Sequence, residues 1–248
     1  MTSERNAILV LLLLLAAGAW ALLIWQSVTM GGQPMSLTMG MAFPLFLAIW
    51  VAMMVAIMFP TAASMILTFA RVQADKRQRG QAFVPTWIFT GSYLAVWSLV
   101  GILAFGGAVA AEQLGKQSVW MVDNAARLGG GLLVLAGLYQ LSPLKRSCLA
   151  KCRTPLGFIL GSWRDGYGGA FRMGLEHGAY CLGCCWLLFA ILFPLGIMNV
   201  AVMAVITLLI FVEKSTRIGW QIAQLAAAVL IAYGVLVVFV PGALPTMM

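Results

Sequence analysis

Apolar positions in this chain come in long uninterrupted blocks, separated by short polar connections. The blocks lie at roughly 7–25, 43–69, 86–110, 126–143, 169–193, 196–212 and 219–240. Most approach or exceed the ~20 residues that a helix needs to cross ~30 Å of hydrocarbon. The strict polar–apolar alternation of a membrane β-strand is missing. The pattern therefore predicts an all-α fold: a polytopic transmembrane helical bundle of about seven spans, forming a single integral membrane domain over 1–248. The first block has one competing explanation, because Ala17 and Ala19 mimic the small-residue cleavage site of a signal peptide. Its apolar stretch from Ala7 to Trp25 exceeds a usual h-region, and the preceding MTSERN carries no net side-chain charge, so a retained first span is expected.

Composition agrees with the block pattern. Apolar residues make up 62 % of the chain and charged residues only 9 %, against about 25 % charged in soluble domains. The net charge of +8 is distributed by loop and is no nucleic-acid footprint. Arg71, Lys76, Arg77 and Arg79 follow the second block, Lys145, Arg146, Lys151, Arg153 and Arg164 follow the fourth, and Lys214 and Arg217 follow the sixth. The intervening connections 26–42 and 194–199 carry no charge, and Glu112, Lys116 and Asp123 leave the remaining one slightly acidic. The positive-inside rule then puts the N-terminus in the cytoplasm and the C-terminus outside. Glycines at 129–131, 137, 174 and 178 are spaced for close helix approach.

The chemistry concentrates in the fifth block. His177, the chain's single histidine, precedes Cys181, Cys184 and Cys185, three of its five cysteines. On a helix these positions form one stripe, since 3.6 residues complete a turn. Thiolates and an imidazole converging in a membrane helix suit a soft metal ion or a redox couple. Single cysteines and histidines are more often inert core residues, so the weight rests on the cluster. Buried thiols without a cation nearby stay protonated, which favours metal over thiol–disulfide chemistry.

Two further sulfur groups surround that stripe. Met54, Met58 and Met65 share a face of the second block, with Pro60 between them. Thioethers are soft donors that suit Cu(I), although methionine is also a flexible core filler in a chain with 15 of them. Met30, Met35, Met39 and Met41 crowd the uncharged connection before it. Cys148 and Cys152 stand in the basic connection 144–168, among cations that favour thiolates. A cytoplasmic metal-transfer point and a basic anchoring loop both fit this pair. Glu176 is expected to pair with Arg172 one turn earlier, Asn199 to cap the next helix, and Glu213 and Lys214 to pair with each other or snorkel.

Four segments, AMMVAIMFP at 52–60, AGLYQLSPLKRSCLAKCRTP at 136–155, GLEHGAYCLGCCW at 174–186 and the stretch from GIMN to EK at 196–214, together resemble a bacterial family of predicted metal-binding integral membrane proteins of unassigned function. The resemblance implies metal binding by Cys148, Cys152, Cys181, Cys184 and Cys185, in the inner membrane of a bacterium. The resulting expectation is a metal-handling membrane protein for copper, with zinc as the alternative ion. His177, Cys181, Cys184, Cys185, Met54 and Met58 are the expected ligands, and Cys148 and Cys152 the expected cytoplasmic transfer point. No residue is assigned a catalytic role, and no ATPase loop or phosphorylated-Asp motif supplies energy. The expected partners are the lipid bilayer, other membrane proteins and a soluble metal chaperone, with no nucleic acid. Two other functions compete: a non-catalytic subunit or assembly factor of a larger membrane complex, and a quinone-coupled thiol oxidoreductase.

Overall fold

The computed structural model describes residues 2–29, 37–38 and 40–244. The helices in chain order are α1 (Thr2–Thr29), α2 (Phe43–Gln78), α3 (Thr86–Gln117), α4 (Val119–Asp123), α5 (Ala125–Gln140), α6 (Pro143–Arg153), α7 (Pro155–Ser162), α8 (Gly166–Ala190), α9 (Leu192–Leu195), α10 (Val200–Ser215) and α11 (Gly219–Phe239). No strand occurs among the described residues, so the all-α expectation holds. Met30, Met35 and Met39 lie outside the described residues.

Five stretches are long and apolar enough to cross a membrane, by length and composition: Glu4–Thr29, Phe43–Gln78, Thr86–Gln117, Gly166–Leu195 and Gly219–Phe239. The other two expected spans correspond to α5 and α10, each of 16 residues. At 1.5 Å per residue such a helix covers about 24 Å, short of the ~30 Å hydrocarbon core. The expected sixth block starts too early. Gly196, at φ 95°, breaks the chain after α9, and the Asn199 side chain caps α10 by accepting from Val202 N at 3.1 Å.

Contacts between charged groups sort the helix ends. Arg77 Nη2 donates to Glu4 Oε2 at 2.7 Å, and Lys76 pairs with Asp165. The start of α1, the end of α2 and the start of α8 therefore share one end of the bundle. Hydrogen bonds from Lys76 and then from the Trp163 indole hold the Asp165 carboxyl below the usual carboxylate range. At the opposite end Thr38 donates through N (2.8 Å) and Oγ1 (2.9 Å) to Glu112 Oε1 near the end of α3. These contacts fit an up-and-down course for α1, α2 and α3.

Small residues set the tightest helix crossings. A Cβ on Gly130 of α5 would lie 2.8 Å from the Gly234 carbonyl oxygen of α11, so the two backbones touch there. Gly174 and Gly178 of α8 do the same against α3 at Phe89 and Val96. Gly130→Val should therefore destabilise the α5–α11 pair by about 1–3 kcal/mol, the usual effect of overpacking. Thermal denaturation followed by circular dichroism in detergent would check it, and an unchanged midpoint would refute the close crossing.

The basic connection after α5 is folded. Ser142 caps α6 by accepting from Lys145 N at 3.1 Å, and Pro143 starts the helix, where its missing N–H is no loss. The apolar face of α6 packs against α8 and buries Lys145, Cys148, Leu149 and Cys152. Arg153 donates to the Thr216 carbonyl just past α10 and ties the far end of α6 down. Lys145 Nζ meets Glu213 Oε2 of α10 at 2.7 Å, with side-chain exposures of 0 % and 2 %. Gln140 Nε2 donates to the other oxygen of Glu213 at 3.1 Å. The expected Glu213–Lys214 pairing is thus replaced by two separate contacts, because consecutive residues on a helix point about 100° apart.

Candidate metal centre

The site is built on α8, where Cys181, Cys184 and Cys185 stand at i, i+3 and i+4 and so share one face. Their three sulfurs lie within 4.8 Å of one another, and all three residues are buried. An ion held at about 2.3 Å by thiolates separates them by about 4 Å, so the group needs little adjustment to hold one. The thiols also contact each other. Cys184 Sγ contacts Cys185 Sγ at 3.1 Å and donates to the Cys181 carbonyl at 3.1 Å.

Other elements complete the surroundings of Cys181. From α3, the Tyr93 hydroxyl lies 3.2 Å from its sulfur. From α2, Met58 Sδ accepts from Cys181 Sγ at 3.7 Å, and Thr61 Oγ1 lies 3.7 Å from the same thioether. From α10, Lys214 Nζ donates to Cys181 Sγ at 3.1 Å and lies 3.9 Å from Met58 Sδ and 3.5 Å from Thr61 Oγ1. The end of α10 therefore reaches residues near the middle of α2. From α6, Cys152 is buried on the face that packs against α8. Three thiols, one thioether and one ammonium meet in a region shielded from solvent.

Gly183 explains how α6 comes so close. A Cβ there would lie 2.7 Å from Cys148 Sγ, so the glycine within CLGCC leaves room for that side chain. Tyr139 of α5 donates to the Gly183 carbonyl and braces α8 on the same side. Cys148 and Cys152 are consequently buried, at 9 % and 6 % exposure. Both lie on the face of α6 that packs against α8. The amphipathic pattern of α6 is the reason, since it turns both thiols and Leu149 inward while Arg146 and Lys151 stay outside.

The structure thus places Met58, one of the expected ligands, beside Cys181. Met54, fully buried, stands one turn from Met58 on the same helix face. His177 lies apart from the group of three sulfurs. Its ring stacks on Tyr93 at 5.2 Å and Phe89 at 5.9 Å and meets Phe158 of α7 at 5.6 Å. Neither of its nitrogens has a hydrogen-bond partner. Glu176 pairs with Arg172 at 3.1 Å, as its spacing suggested, and also lies 3.6 Å from Arg164. Tyr93 and Lys214 were not among the sequence candidates. A cation and a phenol gave no signal at a distance of 33 and 88 residues from Cys181.

A family model described as PpoB2, copper chaperone, matches residues 47–237. No curated protein and no solved structure matches the chain significantly. The match takes in all five cysteines, Met58 and Lys214, and it agrees with a buried sulfur group able to hold a soft ion. On that extent of agreement, the chain belongs to the PpoB2 copper chaperone family.

Proposed function

We propose that this protein is a multi-pass protein of the bacterial inner membrane that binds Cu(I) at Cys181, Cys184 and Cys185 and hands it to a partner. Cys152 and Met58 complete the donor set, and His177 and Met54 border it as further donors. The carrying observation is the buried convergence of three thiols within 4.8 Å of one another. Soft thiolate and thioether donors select Cu(I) over hard cations. In this topology the N-terminus is cytoplasmic, and α5 and α10 complete seven membrane-embedded helices, both packed against α11.

Cys148 extends the sulfur group toward the basic edge of α6. Copper passes by exchange between neighbouring sulfurs, from Cys148 through Cys152 to Cys181, without an energy source. The receiving or donating partner is a soluble metal chaperone or a membrane protein that docks beside α6.

Anaerobic loading of the full chain in detergent tests this reading. About one Cu(I) per chain should remain after removal of excess ion, and X-ray absorption should report sulfur ligation. Protein that retains no copper, or copper bound only through nitrogen and oxygen, would refute it.

A further inference from the structure

We propose that Lys214 sets the ion selectivity of the sulfur site, admitting Cu(I) and rejecting divalent zinc. The inference rests on the copper-binding reading above and names the residue that decides between the two ions. Three convergent thiols also suit zinc, because structural zinc is held by tetrahedral, cysteine-rich sets. The donor set by itself therefore leaves the choice open.

Two properties of Lys214 close it. The first is charge. Its ammonium lies 3.1 Å from Cys181 Sγ and 3.9 Å from Met58 Sδ, so it would lie close to an ion held by these sulfurs. Among the described residues no ion pair includes Lys214, because Glu213 next to it is committed to Lys145. For a given set of deprotonated sulfurs, a fixed positive charge repels a divalent ion twice as strongly as a monovalent one. The second property is position. The ammonium occupies the side of Cys181 that faces Met58 and Thr61, with Thr61 Oγ1 at 3.5 Å. An ammonium held there would leave less room for the fourth ligand that zinc requires than for an ion content with fewer ligands.

The experiment uses the full chain in detergent under anaerobic conditions, with Cu(I) competed against a chromophoric chelator and Zn(II) against a zinc indicator. Lys214→Leu, which removes the charge without adding a donor, should raise zinc affinity relative to copper by on the order of 100-fold, for an effective dielectric constant near 20. Lys214→Arg keeps the charge and should keep the wild-type ratio. An unchanged ratio in the Leu variant would overturn the proposal. If that variant fails to fold, the wild-type protein decides by itself. Offered equimolar Cu(I), Zn(II) and Cd(II), it should fill with Cu(I), and filling with Zn(II) or Cd(II) would overturn the selectivity role while leaving soft-ion binding intact. Wild-type protein that takes up none of the three ions defeats the copper-binding reading itself, and the selectivity role with it.

Discussion

Glu213→Gln should destabilise the protein by about 3–5 kcal/mol, the usual loss when one partner of a buried ion pair is removed. The carboxylate lies between Lys145 Nζ at 2.7 Å and Gln140 Nε2 at 3.1 Å, and both charged side chains are almost fully enclosed. Neutralising it strands an ammonium in a region that water does not reach. The effect should extend to the sulfur site, because the Lys145 contact holds the start of α6 while Arg153 holds its end. Cys148 and Cys152 should then react faster with a membrane-permeant alkylating reagent. Replacing both partners, as Lys145→Met with Glu213→Leu, should recover most of the loss, since the pair's own net contribution is small once neither charge is buried. Thermal denaturation and alkylation rates read the two effects separately. A single variant as stable as wild type would show that the pair is not sealed from water.

The Cys184→Ser, Cys185→Ser double variant should lose stoichiometric copper while its helical circular dichroism stays as in wild type. Two of the three convergent sulfurs are replaced by hard hydroxyl donors, and even removal of a residue behind a ligand costs 10–100-fold in metal affinity. A weakening of at least ~100-fold is therefore expected for loss of ligands themselves. Cys181→Ser alone should approach it. Cys181 is the hub, touching Met58 at 3.7 Å, Tyr93 at 3.2 Å and Lys214 at 3.1 Å. Copper competition against a chelator measures both variants. Wild-type affinity in the double variant would move the site away from α8.

Helix content and the cysteine stripe were legible in the linear chain because both follow from local rules. Long apolar blocks make helices, and i, i+3, i+4 spacing puts Cys181, Cys184 and Cys185 on one face whatever surrounds them. The Asn199 cap and the Arg172–Glu176 pair were legible for the same reason: each lies within about one turn of its partner. Glycine spacing also announced the close crossings, since absence of a side chain is a property of the residue itself.

What surrounds that stripe was decided by tertiary structure. Whether Cys148 and Cys152 hang in a basic loop or line the site depends on α6 docking against α8, which Gly183, the Lys145–Glu213 pair and the Arg153 contact bring about together. Lys214 looks like an interfacial residue at a helix end. It becomes part of the centre only because α10 is short and ends beside the middle of α2. His177 shares the stripe by period, yet the aromatic rings of α3 and α7 enclose it one turn away from the sulfurs. The sequence by itself determined which side chains share a face, because that depends on the helical period alone. Which faces meet, and which of them the site contains, depends on packing between segments far apart in the chain.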